Sequence, residues 1–321
     1  MSLDNIKPGI QIGKYIVKKP IQKGGMAHVV WATMNGNDYA LKVTRITGYQ
    51  DVDSQNNVAT RKEAYLLSSL DHERIVRIYP LALDSQLSEK KIYYASAKDL
   101  QGSPWFFAME YLSGGSLSDY LTYCGPLMTD EATNIVGNVG LALNYLHHKS
   151  IAHLDIKPEN VVFRQMVAKG QPYNPVLVDF GTAAGVKKFT DEAGSWYVMS
   201  PERVRGATGR AAPESIEKID PLKADIWSLG ILLYQSLANS LPFPESNHRR
   251  LTSQILNDIP EPIAKKNKDV PKTLDHFIID ECLAKKPEDR PTIKEFLSFI
   301  YTYSGRDVLA TSIKDGYYGK Y

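Results

Sequence analysis

A change of character near residues 110 to 114 is what most limits how this chain can fold. Before it the sequence reads as strands with one helix; after it, as helices. "QIGKYIVKKPI" and "HVVWATM" are rich in strand-forming residues and are separated by "QKGG". "NGND", from Asn35 to Asp38, signals a hairpin, with "YALKVTRI" as the partner strand. Residues 48 to 60 are polar and read as a loop. "TRKEAYLLSSL" then sets Ala64, Leu67 and Leu70 on one helical face. "RIVRIYPLAL" and "PWFFAMEYL" are further strands.

Past "SGGS", from Ser113 to Ser116, the period becomes helical. "TDEATNIVGNVGLALNYLHHK" opens with Thr129 as the expected N-cap and two acids in the first turn. Its residues Ile135, Val136, Val139, Leu143 and Leu146 form an apolar stripe. "DIWSLGILLYQSLA" is apolar nearly all round, which predicts a buried helix. "LDHFIIDECLA" and "TIKEFLSFIYTY" are two more. "RGATGRAAPES", 205 to 215, is small, basic and loop-like. Strands followed by helices give an α+β class. The length of 321 residues suits one large bilobal unit or two domains. We expect an N-terminal lobe over 1–112, a C-terminal lobe over 113–303 and a tail over 304–321.

Charge excludes some partners. Against 38 basic residues stand 36 acidic ones, a formal net charge of +2, so nothing favours nucleic acid or a membrane surface. The longest apolar stretch, "IWSLGILLYQSLA", is too short and too polar to span a bilayer. Cys124 and Cys282 stand far apart and suggest neither a metal site nor a disulfide framework. No signal peptide is expected near Asp4 and Lys7, and the expected location is cytoplasmic.

Several short segments carry candidate chemistry. "IQKGGMAHVVWA", 21 to 32, is a glycine turn between strands. Such a turn either lets backbone N–H groups approach phosphate or is a plain hairpin turn. Lys42 on the next strand and Glu63 on the following helix are either a pair that aims an ammonium or two surface charges. Asp179 ends an apolar strand before Phe180 and Gly181. That suits a hard divalent cation, or equally an Asp-x-Gly turn. "HLDIKPENVVF", 153 to 163, spaces a carboxylate, an ammonium and an amide ahead of a short apolar run.

Together these segments resemble the protein-kinase family, whose signature set is a known pattern. "HLDIKPEN" resembles the catalytic loop and "DFG" is intact at 179 to 181. "SPE" stands at 200 to 202 for Ala-Pro-Glu. "DIWSLG", 225 to 230, resembles the helix that anchors the catalytic loop. "PEDRPT" holds Arg290, the expected partner of Glu202. The motifs run in order over residues 12 to 300.

The resemblance implies an ATP-dependent Ser/Thr protein kinase of the eukaryotic-like, or Hanks, type. It makes Asp155 the base and Lys157 the group that neutralises the transferring phosphoryl. Asn160 and Asp179 would hold Mg²⁺, with Mn²⁺ as the alternate ion. Lys42, oriented by Glu63, would contact phosphates near Gly24 and Gly25. Adenine would meet Val29 and Ala40 on one side and Val162 on the other, and Ile21 would also belong to the nucleotide site. Met109 would stand behind it, and the backbone of Glu110 and Leu112 at its edge. His153 would pack on Phe180. The implied partners are ATP and a protein substrate. The competing readings are a pseudokinase scaffold and a small-molecule phosphotransferase of related fold. Filled catalytic positions oppose the first; "SPE" with Arg290 opposes the second.

The chain also departs from the family pattern. Gln22 and Ala27 replace the first and third glycines of the phosphate loop. Leu154 replaces the Arg that would receive an activation-loop phosphate, which implies activity without such a phosphate. Thr182 and Thr190 are the nearest loop hydroxyls, and a hydroxyl at Ser195 would touch Asp155. Segment 205 to 223 is expected beside the protein substrate, with Arg205 and Arg210 as docking groups, or else is a solvated loop.

Overall fold

The computed structural model describes residues 7–81, 91–166, 173–185, 194–209 and 219–303. The fold is α+β, and the chain divides into two compact units, Met1–Ser113 and Gly114–Tyr321.

The described residues of the first unit form a seven-stranded antiparallel sheet with one helix. Its strands are β1 (Gln11–Ile12), β2 (Tyr15–Lys23), β3 (Ala27–Met34), β4 (Asn37–Thr44), β5 (Ile78–Tyr79), β6 (Tyr94–Ser96) and β7 (Trp105–Glu110). They pair in the order β1-β2-β3-β4-β7-β5, with β6 also on β7. Asn35 and Gly36 both have positive φ, 52° and 79°, and join Met34 to its partner Asn37. That is the two-residue turn whose twist matches the flanking strands. Alternate residues Tyr15, Val17, Val30, Leu41, Val43 and Phe106 form the core of one sheet face.

Helix α1 (Gln50–Leu67) packs on β4 and β7 and starts ten residues before the sequence reading placed it. The stretch read as a loop is helical because polar groups do the seating there. Asp53 accepts hydrogen bonds from the Thr47 and Gly48 N–H groups and from the Thr47 hydroxyl. Asn56 Nδ2 donates to the Arg45 carbonyl, and Thr44 Oγ1 to Thr60 Oγ1. A helix buried through Asn and Thr leaves no apolar stripe to read. Leu70 lies beyond its end.

The second unit is mainly helical: α2 (Leu117–Cys124), α3 (Thr129–His148), α4 (Pro201–Ala207), α5 (Pro221–Ala238), α6 (His248–Asn257), α7 (Lys272–His276) and α8 (Ile293–Ile300). A π-helical stretch, Phe277–Cys282, continues α7. Helix α5 is buried on all sides, as its composition requires, and packs on α3. Thr129 is the first residue of α3 rather than its N-cap. The N-cap is Met128, and the Glu131 carboxylate accepts the Met128 N–H. Residues 205 to 207, read as loop, form the last turn of α4, where the Thr208 hydroxyl donates to the Val204 carbonyl. Residues 210–218, including Arg210, lie outside the described residues.

Among the described residues this unit also has four short strands: β8 (Ile151–Ala152), β9 (Val161–Phe163), β10 (Pro175–Leu177) and β11 (Ala184–Gly185). β9 pairs with β10, and β8 with β11. Among the described residues no helix is long and apolar enough to cross a membrane.

Candidate active site

The loop from His153 to Asn160 is tied down by one buried carboxylate. Asp225 of α5 accepts the backbone N–H groups of His153 at 2.9 Å and Leu154 at 2.8 Å. Its Oδ2 also pairs with His147 Nε2 at 2.9 Å. Sequence spacing alone gave no sign of that His147 contact. The His153 ring meets Phe180 edge to face at 4.8 Å, as expected. Leu154 has φ 69°, a left-handed conformation that a branched side chain adopts only when its surroundings enforce it.

Asp155 follows, 6% exposed. Its Oδ1 accepts the Ser195 N–H at 2.9 Å, and its Oδ2 accepts Asn160 Nδ2 at 3.1 Å. The same Oδ2 lies 2.7 Å from Lys157 Nζ. Lys157 Nζ also donates to Ser195 Oγ at 2.6 Å, so one lysine bridges the Asp155 carboxylate and the segment that carries Ser195. Burial alone would raise the Asp155 pKa. The Lys157 hydrogen bond and charge, with the Ser195 N–H, outweigh burial and hold it below the usual carboxylate value.

Asn160 and Asp179 are brought together by strand register. Val161 pairs with Leu177, and the Val178 N–H donates to the Asn160 carbonyl at 3.0 Å. Both residues therefore flank the same end of the β9–β10 ladder. Asn160 is buried and gives its amide nitrogen to the Asp155 carbonyl at 2.8 Å, which turns its amide oxygen away from Asp155. An amide oxygen and a carboxylate are hard donors of the kind Mg²⁺ takes, so these residues fit the ion. Among the described residues no cluster of three or more His, Cys, Asp or Glu offers a rival metal site.

In the first unit, Lys42 Nζ sits 2.8 and 2.7 Å from the two Glu63 oxygens, with side-chain exposures of 12% and 4%. The surface-charge alternative is thereby excluded. Lys42 faces Val29 and Phe107 in the ladder, and Ala40 faces Trp31 and Met109. Gly24 closes the turn with its N–H on the Ala27 carbonyl at 3.0 Å. Ile21 is half exposed beside it. The Glu110 N–H donates to the Arg77 carbonyl at 2.9 Å and is therefore engaged within the protein. Leu112 follows β7, and Val162 is the central residue of β9, in the second unit.

Glu202 and Arg290 pair as expected, both buried. Thr182 is not a free loop hydroxyl. It donates to the His153 carbonyl at 2.9 Å, a bond that a phosphoryl group there would break. Thr190 lies outside the described residues. The contribution that sequence reasoning missed altogether is Arg203, buried beside Leu154.

The model of the protein kinase domain family matches residues 15–302. The serine/threonine-protein kinase PrkC of Bacillus subtilis is 31% identical over 286 residues, which is 87% of this chain and 38% of the relative. Protein kinase kin1 of Schizosaccharomyces pombe is 27% identical over 303 residues, 92% of this chain and 31% of the relative. The chain thus spans well under half the length of these curated relatives. With the Asp155–Lys157–Ser195 arrangement and the buried Glu202–Arg290 pair already present, the match leaves one assignment: the chain belongs to the protein kinase domain family.

Proposed function

We propose that this chain is a serine/threonine kinase that moves the γ-phosphoryl group of ATP to protein hydroxyls with Mg²⁺. One observation carries the reading. The buried Asp155 carboxylate is held ionised by Lys157 and by the Ser195 N–H, ready to orient a hydroxyl and take its proton. Lys157 would then offset charge on the transferring group. Asn160 and Asp179 would hold Mg²⁺, which when bound offsets charge on the nucleotide phosphates. In the first unit Glu63 fixes Lys42 for phosphate contact, and Val29, Ala40 and Met109 offer an apolar surface for adenine. Such catalysis depends mainly on positioning and charge compensation.

The Lys two residues after Asp155 supports Ser/Thr rather than Tyr acceptors. Leu154 is buried against Ala152 and Ala224, where it cannot receive a phosphate. We read the enzyme as active without loop phosphorylation on that ground. Both cysteines are free, in keeping with a cytoplasmic location.

Asp155→Asn tests the assignment. With Mg-ATP and a protein acceptor, read by mass spectrometry, turnover should fall at least roughly a hundredfold while nucleotide affinity is kept. Turnover near the parent's would remove Asp155 from the role.

A further inference from the structure

We propose that Arg203 is a positioning residue for phosphoryl transfer. Its guanidinium would lock the loop that carries Asp155 against the segment that carries Ser195, the work a loop phosphate would otherwise do. The inference rests on the reading that this kinase is active without loop phosphorylation.

Arg203 lies on α4 and is 1% exposed. Its Nη1 donates to the Leu154 carbonyl at 2.9 Å. That carbonyl belongs to the peptide that leads into Asp155. Leu154 is left-handed, so this peptide is strained and must be fixed from outside. Three anchors do so: the apolar cluster around the Leu154 side chain, Asp225 on its N–H, and Arg203 on its carbonyl.

The same guanidinium borders the other segment. A methyl at Gly194 would stand 3.4 and 3.6 Å from its terminal nitrogens and 3.0 Å from the Leu154 oxygen. Gly194, at φ 116°, therefore lies directly against both. The next residue, Ser195, gives its N–H to Asp155 Oδ1 and receives Lys157 at its hydroxyl. One side chain thus touches both segments whose meeting forms the Asp155–Lys157–Ser195 arrangement. Its base is fixed too, because neighbouring Glu202 on α4 is held by Arg290.

Stability alone gives little reason for a cation here. A buried guanidinium carries a desolvation cost that an apolar side chain of similar size avoids. What it adds is planar, directional donation at a fixed height above a carbonyl.

The test uses the full chain, treated with phosphatase and shown to be phosphate-free by intact mass. Turnover, the Michaelis constant for Mg-ATP and the melting temperature are measured together. Arg203→Met should lower turnover between about tenfold and a hundredfold. The Michaelis constant for Mg-ATP should stay within about twofold, since no nucleotide contact changes. Val204→Ala, a buried change on the same helix, should lower the melting temperature and keep turnover near the parent's. Arg203→Lys keeps the charge but not the plane and should lose at least about threefold in turnover. If Arg203→Met does not fold, this variant decides.

An active parent with Arg203→Met or Arg203→Lys equally active overturns the inference alone. So does a loss in Arg203→Met that Val204→Ala matches. A phosphate-free parent without activity overturns the reading of activity without loop phosphate, and this inference with it.

Discussion

Arg290 grips both carboxylate oxygens of Glu202, Nη1 to Oε1 at 2.8 Å and Nη2 to Oε2 at 2.7 Å, across 88 residues of sequence. The guanidinium also donates to the carbonyls of Ala284 and Lys223, so none of its faces is idle. Burial alone would raise the Glu202 pKa; the Arg290 hydrogen bonds and charge outweigh it and hold the carboxyl below its ordinary value.

Removing one partner should cost more than removing both. Arg290→Met leaves a buried carboxylate and should lower unfolding free energy by about 3–5 kcal/mol, read by urea titration. Adding Glu202→Leu should recover part of that loss. The sign with pH follows from the lowered folded pKa. The pair's contribution is fully present above the ordinary carboxyl value of 4.5 and is lost as pH falls through the lower folded value. A double variant no more stable than Arg290→Met would show that packing, not the pair, sets the loss.

His153 gives the opposite chemistry a similar slope. Burial drives its pKa below the ordinary 6.5, against the raising effects of Asp225, Asp155 and Asp179. Its partners assign a neutral ring: Nε2–H donates to the Val178 carbonyl at 3.2 Å, and Nδ1 accepts the Asp155 N–H at 3.4 Å. Below pH 6.5 the unfolded chain takes up a proton that the folded chain refuses. Stability should therefore fall as pH drops, by at most about 1.4 kcal/mol per pH unit from this residue. His153→Gln should flatten the parent's profile between pH 6.5 and 5. An unchanged slope would assign the titration to another group.

How much of this was legible in the sequence divides along physical lines. The α5 helix, the hairpin at Asn35–Gly36 and the Glu202–Arg290 pair could be read because each leaves a local mark: an apolar run, a turn dipeptide, a motif. The first turns of α1 could not, because Asn56 and Thr60 bury polar groups through hydrogen bonds that periodicity does not register. Arg203 was invisible for a related reason. A cation one residue past Glu202 reads as surface charge until the fold sets the Leu154 carbonyl against it. Thr182 is a loop hydroxyl, as read, but that it is engaged could not be read, because its acceptor, His153, lies 29 residues away.

Lys42 and Glu63 should separate by kind of loss. Lys42→Met removes the cation that faces the buried Glu63 carboxylate, so both turnover and melting temperature should fall. Glu63→Gln keeps the shape and a hydrogen-bond acceptor for Lys42. It should lose less, about tenfold or under in turnover, through looser aim of the ammonium. Steady-state kinetics with thermal melts on both variants decide. Normal turnover in Lys42→Met would exclude Lys42 from phosphate contact.

The two glycines of the β2–β3 turn should respond differently, because the space around them differs. A Cβ on Gly24 would stand 2.7 Å from the Ala27 carbonyl oxygen, inside any real contact, and would strain the bond that closes the turn. Gly24→Ala should therefore lower stability by about 1 kcal/mol or more and weaken nucleotide binding as a result. A Cβ on Gly25 meets nothing within 4 Å, so Gly25→Ala should leave the melting temperature unchanged. If phosphate oxygens approach that backbone closely, the added methyl stands in their way, and the Michaelis constant for Mg-ATP should rise severalfold while the fold is intact. Melting curves and ATP titrations on the two variants separate a structural glycine from a ligand-facing one. A Gly25→Ala enzyme with the parent's Michaelis constant would mean that the turn closes the hairpin and does not hold phosphate.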